Sequence, residues 1–360
     1  MLRIKHRKLL VKRPRTNALV HKRTHALVHK RKVVGIKGAY TAGRSSYKTD
    51  FAELSDRELQ KEVNVQWWRW YAARKAKRVS WRVYHASAAR FIVGFLKKGR
   101  QINQNWVMLP TGKKVAAILC VMNEQDTIRR TLDQLGRFPL EEIFVIVNGS
   151  TDQSFHEIKC HPAQPTIIHY DPALGYDVGR AIGAKASNSD ILLFLDGDMM
   201  ISAKNLVPFV HAIQQGADLA LNNITPFLAR FNLRDTVTIV KQFVNKSLGR
   251  GDLVANSLTA IPHALSRRAV ETIGFRNLTV PPLAQAIALR SGLKVNSPAS
   301  INVIRKNRIK VNNFGVGNAV EGLIIGDHLE ALHYSMSKQG KRLALADRLR
   351  KRKYAWGCAQ

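Results

Sequence analysis

Asp190-Ile191-Leu192-Leu193-Phe194-Leu195-Asp196-Gly197-Asp198-Met199 is the stretch whose reading decides the fold. Ile191 to Leu195 is an unbroken apolar run, the pattern of a strand buried on both faces in a parallel sheet. It stops at two aspartates separated by one glycine. Ligands of open α/β sheets bind outside the carboxyl ends of the strands, so this run delivers two carboxylates to the place where a ligand would lie. Asp196 and Asp198 could share a hard divalent cation, and such an ion neutralises phosphate. Gly197 allows a turn and a close approach of backbone to ligand. A plain Asp-Gly turn after a strand has the same letters, so the neighbouring sequence has to decide.

Working outward from Lys114, strand patterns alternate with helix patterns, as in α/β folds. Expected strands are Val115–Val121, Ile143–Val147, Thr166–Tyr170, Ile191–Leu195, Leu219–Ile224, Ser257–Ile261 and Leu293–Asn296, with helices between them. Three strand ends carry ligand-suited residues: Asn123-Glu124, then Asn148-Gly149-Ser150-Thr151-Asp152, then Asp196-Gly197-Asp198. A parallel sheet opens all three on one rim. Gly175-Tyr176-Asp177-Val178-Gly179-Arg180-Ala181-Ile182-Gly183 reads as a glycine-spaced helix start with an arginine able to reach a phosphate. No G-x-G-x-x-G follows the first strand and no P-loop pattern is present, which argues against a dinucleotide dehydrogenase and a P-loop NTPase.

These pieces, in this order, resemble glycosyltransferase family 2, the inverting nucleotide-sugar enzymes of the GT-A fold, over residues 115–295. The resemblance implies an α/β GT-A domain and metal-dependent transfer from a nucleotide diphosphate sugar, a UDP-sugar first among them. It places Glu124 and the end of the first strand at the nucleoside. Asn148 stands where the family usually has the aspartate that accepts the uracil N3–H; its side-chain oxygen can accept the same bond. Arg180 falls beside the diphosphate, and Asp196 at the ribose or the metal. Asp198 becomes the principal ligand of Mg²⁺ or Mn²⁺. Asp152 would cap the following helix or touch the nucleotide. The acceptor would be a cell-envelope component, lipid-linked, or an anionic polymer.

The chain departs from the family where the general base is usually supplied. Val280-Pro281-Pro282 stands there, and no acid occurs from Asn277 to Leu293. Asp327, His328 and Glu330 are the candidate replacements, within Gly326-Asp327-His328-Leu329-Glu330. Asp327 and Glu330 share a helical face, and His328 is a possible base or further ligand. A solvated helix surface would read the same way. Asp252 is a weaker candidate. A catalytically silent GT-A domain that binds nucleotide sugar or polyanion is the alternative this departure raises.

Charge divides the chain differently. The 360 residues carry 58 Lys/Arg and 25 Asp/Glu, a net of +33. Residues 1–48 contain 15 Lys/Arg and no acid, and two copies of an eight-residue unit, Thr16–Arg23 and Thr24–Arg31. We expect a basic, disordered arm over 1–48, suited to a polyanion or an anionic membrane face. Residues 49–113 read as a helical Trp-rich basic segment followed by a linker. Ser55-Asp56-Arg57-Glu58 is a helix start. Trp67, Trp70, Tyr71 and Arg74 would then share one side, as an interfacial helix or as a face packed on the main domain. The GT-A domain spans 114–310 and a basic helical tail spans 311–360. The absence of a nucleic-acid module weighs against nucleic acid as a partner. Cys120, Cys160 and Cys358 have no metal or redox spacing. Neither a secretory signal nor a run of ~18 apolar residues is visible, so a cytoplasmic and peripheral protein is expected.

Overall fold

The computed structural model describes residues 36–74, 79–97, 105–303 and 319–350. Seven strands form one sheet in the order β3-β2-β1-β4-β6-β5-β7. They are β1 (Val115–Val121), β2 (Glu142–Asn148), β3 (Thr166–Tyr170), β4 (Ile191–Asp196), β5 (Leu219–Asn222), β6 (His263–Ser266) and β7 (Val295–Ala299). β3, β2, β1 and β4 run parallel, β6 is antiparallel to both β4 and β5, and β7 is parallel to β5. The central strands are buried on both faces, from Ile191 to Leu195 and from Val115 to Leu119, which is why they read as continuous apolar runs.

The expected strand at Ser257–Ile261 is a correction. Those residues form turns, and the strand starts at His263. Pro262 has no N–H for a ladder, and pairing begins beyond it, with His263 opposite Phe194.

The N-terminal region is not an accessory. α1 (Ala39–Ser46), α2 (Asp56–Ala72) and α3 (Trp81–Leu96) share one hydrophobic core with the sheet. α2 starts with the expected capping box, Ser55 and Glu58 satisfying each other's backbone N–H groups. Trp67 is fully buried, and its indole N–H donates to the Tyr84 hydroxyl at 2.9 Å, which donates to the Met108 carbonyl at 3.0 Å. Tyr71 stacks on Trp67 and Trp70 lies tilted against it, and the Arg74 guanidinium lies over the Trp70 ring. The aromatic side of α2 therefore faces the protein, as one of the two expectations had it.

Two boundaries move. Val107, Met108 and Leu109, expected in a linker, are buried, and Asn64 accepts from the Leu109 N–H at 2.7 Å. Residues 39–46, expected in the disordered arm, form α1, whose backbone lies directly on α3. A β-carbon at Gly43 would meet the Phe91 carbonyl oxygen at 2.0 Å, and one at Gly94 the Tyr40 oxygen at 2.1 Å. The rest of the arm, residues 1–35 with the octad repeat, lies outside the described residues, as do 311–318, 351–360 and Cys358. Among the described residues no helix is long and apolar enough to cross a membrane.

Eight further α-helices lie among the described residues. α4 (Ile128–Gly136), α5 (Ser154–Lys159), α6 (Val178–Ala186) and α7 (Ala203–Gln214) connect the first five strands. α8 (Thr236–Ser247) follows β5, and α9 (Arg267–Ile273) and α10 (Pro281–Arg290) follow β6. α11 (Ala319–Gln339), in the expected helical tail, packs on α8 and α10.

Candidate functional site

The site lies at the carboxyl ends of β1, β2 and β4, where side chains leave the ladder and meet the start of α6. β4 lies directly beside β1, and Asp196 pairs in register with Cys120. The ladder continues one step further, the Gly197 N–H donating to the Cys120 carbonyl at 2.9 Å. That holds Asp196 and Asp198 at the rim. Both are partly exposed. A β-carbon on Gly197 would lie 2.9 Å from the Val121 side chain, so the turn between the aspartates is tightly seated.

Arg180 is brought to the same rim by α6. Gly179 and Gly183, on the sheet-facing side of that helix, replace side chains that would collide with Cys120, Ile118 and Ile146. The helix can then lie close against β1 and β2. The Arg180 guanidinium is buried, 2.8 Å from the Asp177 carboxylate and 3.6 Å from that of Asp196, and it donates to the Leu258 carbonyl at 3.3 Å. Burial works against its charge, yet Asp177 and Asp196 hold the proton more firmly than usual. Burial raises the Asp177 carboxyl despite Arg180, with the Asp196 charge adding to the rise.

The rim beyond β1 and β2 is braced by paired loops. Asn123, in the left-handed region at φ 56°, accepts from the Thr151 N–H at 2.8 Å. Asp152 accepts from Ser154 N–H at 2.9 Å and from Gln125 N–H at 3.1 Å. Burial opposes ionisation of Asp152, and the hydrogen bonds from Ser154 and Gln125 overcome it, leaving its carboxyl below the ordinary range. Asp152 thus joins two loops and caps the turn before α5. Glu124, expected at the nucleoside pocket, is only 2% exposed, and its carboxylate accepts from the Thr127 hydroxyl. It braces the loop from beneath, its own N–H donating to the Ser154 hydroxyl at 2.7 Å. Asn148 stays at the rim. Its oxygen accepts from Leu174 N–H at 2.7 Å and its amide donates to the Gly175 carbonyl at 2.8 Å. A carbonyl oxygen has two lone pairs, and the Leu174 N–H uses one of them.

The three C-terminal candidates are separated. His328 is on the buried face of α11, 2% exposed, and its Nδ1–H donates to the Ile324 carbonyl at 2.6 Å. Burial lowers it to about 4, so it is a neutral core histidine. Glu330 is exposed. Asp327 is partly buried and raised to about 6, first by burial, then by the Asp177 carboxylate, then by Glu330. Asp252 is engaged by Arg250 through two contacts of 2.8 Å.

Sequence reasoning passed over four neighbours of Arg180. Asp177 had a signal, an acid three residues before an arginine at a helix start. Cys120 carried none, since its strand places it beside Asp196; burial, followed by the Asp196 charge, pushes its thiol up to about 12, which removes it as a nucleophile. His263 is buried against Phe194 and lowered to about 3, by burial and then by Arg180. Lys241, on α8, had a readable signal: it shares the helical face of the buried residues Thr238, Val244 and Asn245.

Among comparisons with known proteins, the family model described as glycosyl transferase family 2 matches residues 116–268. No curated protein matches the chain. Solved structures with similar folds include glucosyl-3-phosphoglycerate synthase from Mycobacterium tuberculosis in complex with Mg²⁺ and uridine diphosphate. That structure is 14% identical over 66% of this chain and 82% of that one, with a TM-score of 0.46. The same enzyme with Mn²⁺, uridine diphosphate and phosphoglyceric acid is 16% identical over 66% and 81%, with a TM-score of 0.44. A mycobacterial protein is 17% identical over 66% and 77%, with a TM-score of 0.46. The family match covers β1 to β6, the part of the sheet that carries Asn148, Arg180, Asp196 and Asp198.

Proposed function

Since residues 116–268 match the family model of glycosyl transferase family 2, we propose that this chain moves a sugar, with inversion, from a nucleotide diphosphate sugar to an acceptor hydroxyl, using Mg²⁺ or Mn²⁺ at Asp196 and Asp198. A UDP-sugar is the first donor to test. The observation that carries the reading is the rim itself: two carboxylates at the end of β4 with the Arg180 guanidinium 3.6 Å from Asp196.

The donor set fits a hard cation. Asp196 and Asp198 offer carboxylate oxygens, and among the described residues no group of three His, Cys, Asp or Glu gathers to hold a metal unaided. An ion held by two carboxylates would complete its shell with diphosphate oxygens and water, the usual arrangement for Mg²⁺ with phosphate ligands. When bound, the ion would offset charge on the departing diphosphate.

The chain's own residues supply the rest. Arg180 sits where it can turn from Asp196 to a phosphate oxygen. Asn148 keeps an acceptor position for the base. Asp152 and Glu124 hold the two loops in register. Asp327 takes the proton of the acceptor hydroxyl as its oxygen bonds to the anomeric carbon and the bond from that carbon to the diphosphate breaks. The acceptor class we assign is anionic or envelope-derived, on the strength of the basic N-terminal sequence, which would also bring the enzyme to an anionic membrane face.

Calorimetric titration of UDP with and without Mn²⁺ tests the donor side. Wild-type protein should bind UDP more tightly with the ion present, and Asp198→Ala should lose that increment. Equal binding with and without Mn²⁺ in both proteins would defeat the metal assignment.

A further inference from the structure

Between α8 and β6 the chain runs through a largely buried stretch of turns, Val254 to Ile261, that belongs to no ladder. Backbone polar groups taken out of water need partners, and side-chain amides supply them here. Asn245 on α8 donates to the Val254 and Asn256 carbonyls at 2.9 and 3.0 Å. Asn222, at the end of β5, donates to the Ile261 carbonyl at 3.0 Å. Gln285, on α10 and 3% exposed, accepts from the Leu258 N–H at 3.0 Å and donates to the Asn245 oxygen at 2.7 Å.

Leu258 is where this stretch meets the site. Its carbonyl accepts from Arg180 Nη1 at 3.3 Å. The same nitrogen lies 2.8 Å from Asp177 Oδ1, while Nη2 lies 3.6 Å from Asp196 Oδ1, longer than an ordinary N–H···O bond. Arg180 is buried, so these partners, rather than solvent, set the aim of its guanidinium. Gln285 in turn fixes Leu258 by its N–H, so one residue is held at its N–H by α10 and holds Arg180 with its carbonyl. α10 carries no acid, and this amide is the polar group it contributes. We propose that Gln285 is a positioning residue: through Leu258 it keeps the Arg180 guanidinium in the orientation that meets the donor diphosphate. The role in binding depends on the transfer reading; the hold on Arg180 does not.

UDP and UMP, each with Mn²⁺, are titrated into the wild-type chain, Gln285→Met, Arg180→Met and the double variant. Methionine is close to glutamine in shape and makes neither hydrogen bond. Gln285→Met should weaken UDP about tenfold, and UMP, which lacks the second phosphate, by less than about twofold. Arg180→Met should weaken UDP at least as much. Adding Gln285→Met to it should cost less than about a further twofold, because the group being positioned is already gone. Gln285→Glu keeps an oxygen opposite the Leu258 N–H in either protonation state, so it should bind UDP better than Gln285→Met. A purely structural amide would rank the two the other way, since a buried carboxylate disturbs a core more than a methionine does. Should Gln285→Met not fold, Gln285→Asn, which withdraws the amide by one methylene, repeats the cycle.

An equal loss of UDP affinity from Gln285→Met with and without Arg180 would overturn the proposal, and so would a parallel loss of UDP and UMP. If wild-type protein binds no UDP, the transfer reading fails. The same cycle read as melting temperatures without ligand then still decides whether Gln285 holds Arg180. Losses smaller together than their sum support the hold, and additive losses overturn it.

Discussion

A carboxylate that has lost part of its water and feels the charge of other carboxylates keeps its proton to a higher pH, and burial, then the charges of Asp177 and Glu330, do this to Asp327. As the proposed base, Asp327 would have to be ionised to work, so turnover should fall as pH drops below about 6 and level off above it. Asp327→Asn should lower kcat by about 10² to 10⁴ and erase that acid limb, measured as nucleoside diphosphate release against pH. The same residue makes a stability prediction of opposite sense. Its folded carboxyl is raised above the unfolded value, so the folded state binds the extra proton, and ionising it at neutral pH opposes folding. Asp327→Asn should therefore raise the melting temperature at pH 8 and leave it nearly unchanged at pH 4. His328, its neighbour in sequence, looked equally chemical. One helical position turned it into the core, and the sequence held no sign of that because the packing partners come from α8 and α10, far along the chain.

At the scale of the element, α6 sets how far Arg180 reaches. A β-carbon at Gly183 would lie 2.4 Å from the Ile118 side chain and 3.0 Å from that of Ile146. Gly183→Ala should cost about 1–3 kcal/mol through overpacking and weaken UDP binding by moving α6 off the sheet; denaturant melts and calorimetry read the two effects separately. The strands were legible for a simple reason. Parallel central strands are buried on both faces, and runs such as Ile191–Leu195 and Val115–Leu119 show it directly. β6 was not, because a four-residue antiparallel strand behind a proline carries too little pattern to be told from the turn before it. Asp196, Asp198, Arg180 and Asn148 were legible since strand ends and helix starts bear them. Asp327 was legible as an acid on its own helix, while Lys241 on α8 was passed over although its helical face was readable.

For the whole molecule, residues 39–46 of the basic N-terminal third belong to the folded body, since α1 lies directly on α3. Removing residues 1–35 should leave the melting temperature and turnover unchanged while reducing binding to anionic liposomes or polymers at low salt. Removing 1–48 should also lower the melting temperature, since it strips α1 from Phe91 and Gly94 on α3. Removing 1–113 exposes Val115 to Leu119 and the aromatic cluster's partners in the shared core, and it should yield no soluble folded domain.

The central claim is that Asp196 and Asp198 support sugar transfer from a nucleotide diphosphate. Release of nucleoside diphosphate from a panel of nucleotide sugars with Mn²⁺, in wild type and Asp198→Ala, tests it most directly. The account predicts turnover of at least one sugar by wild type and a loss of about a hundredfold or more in the variant. Equal release by the two proteins, or none by wild type from any sugar in the panel, would contradict it.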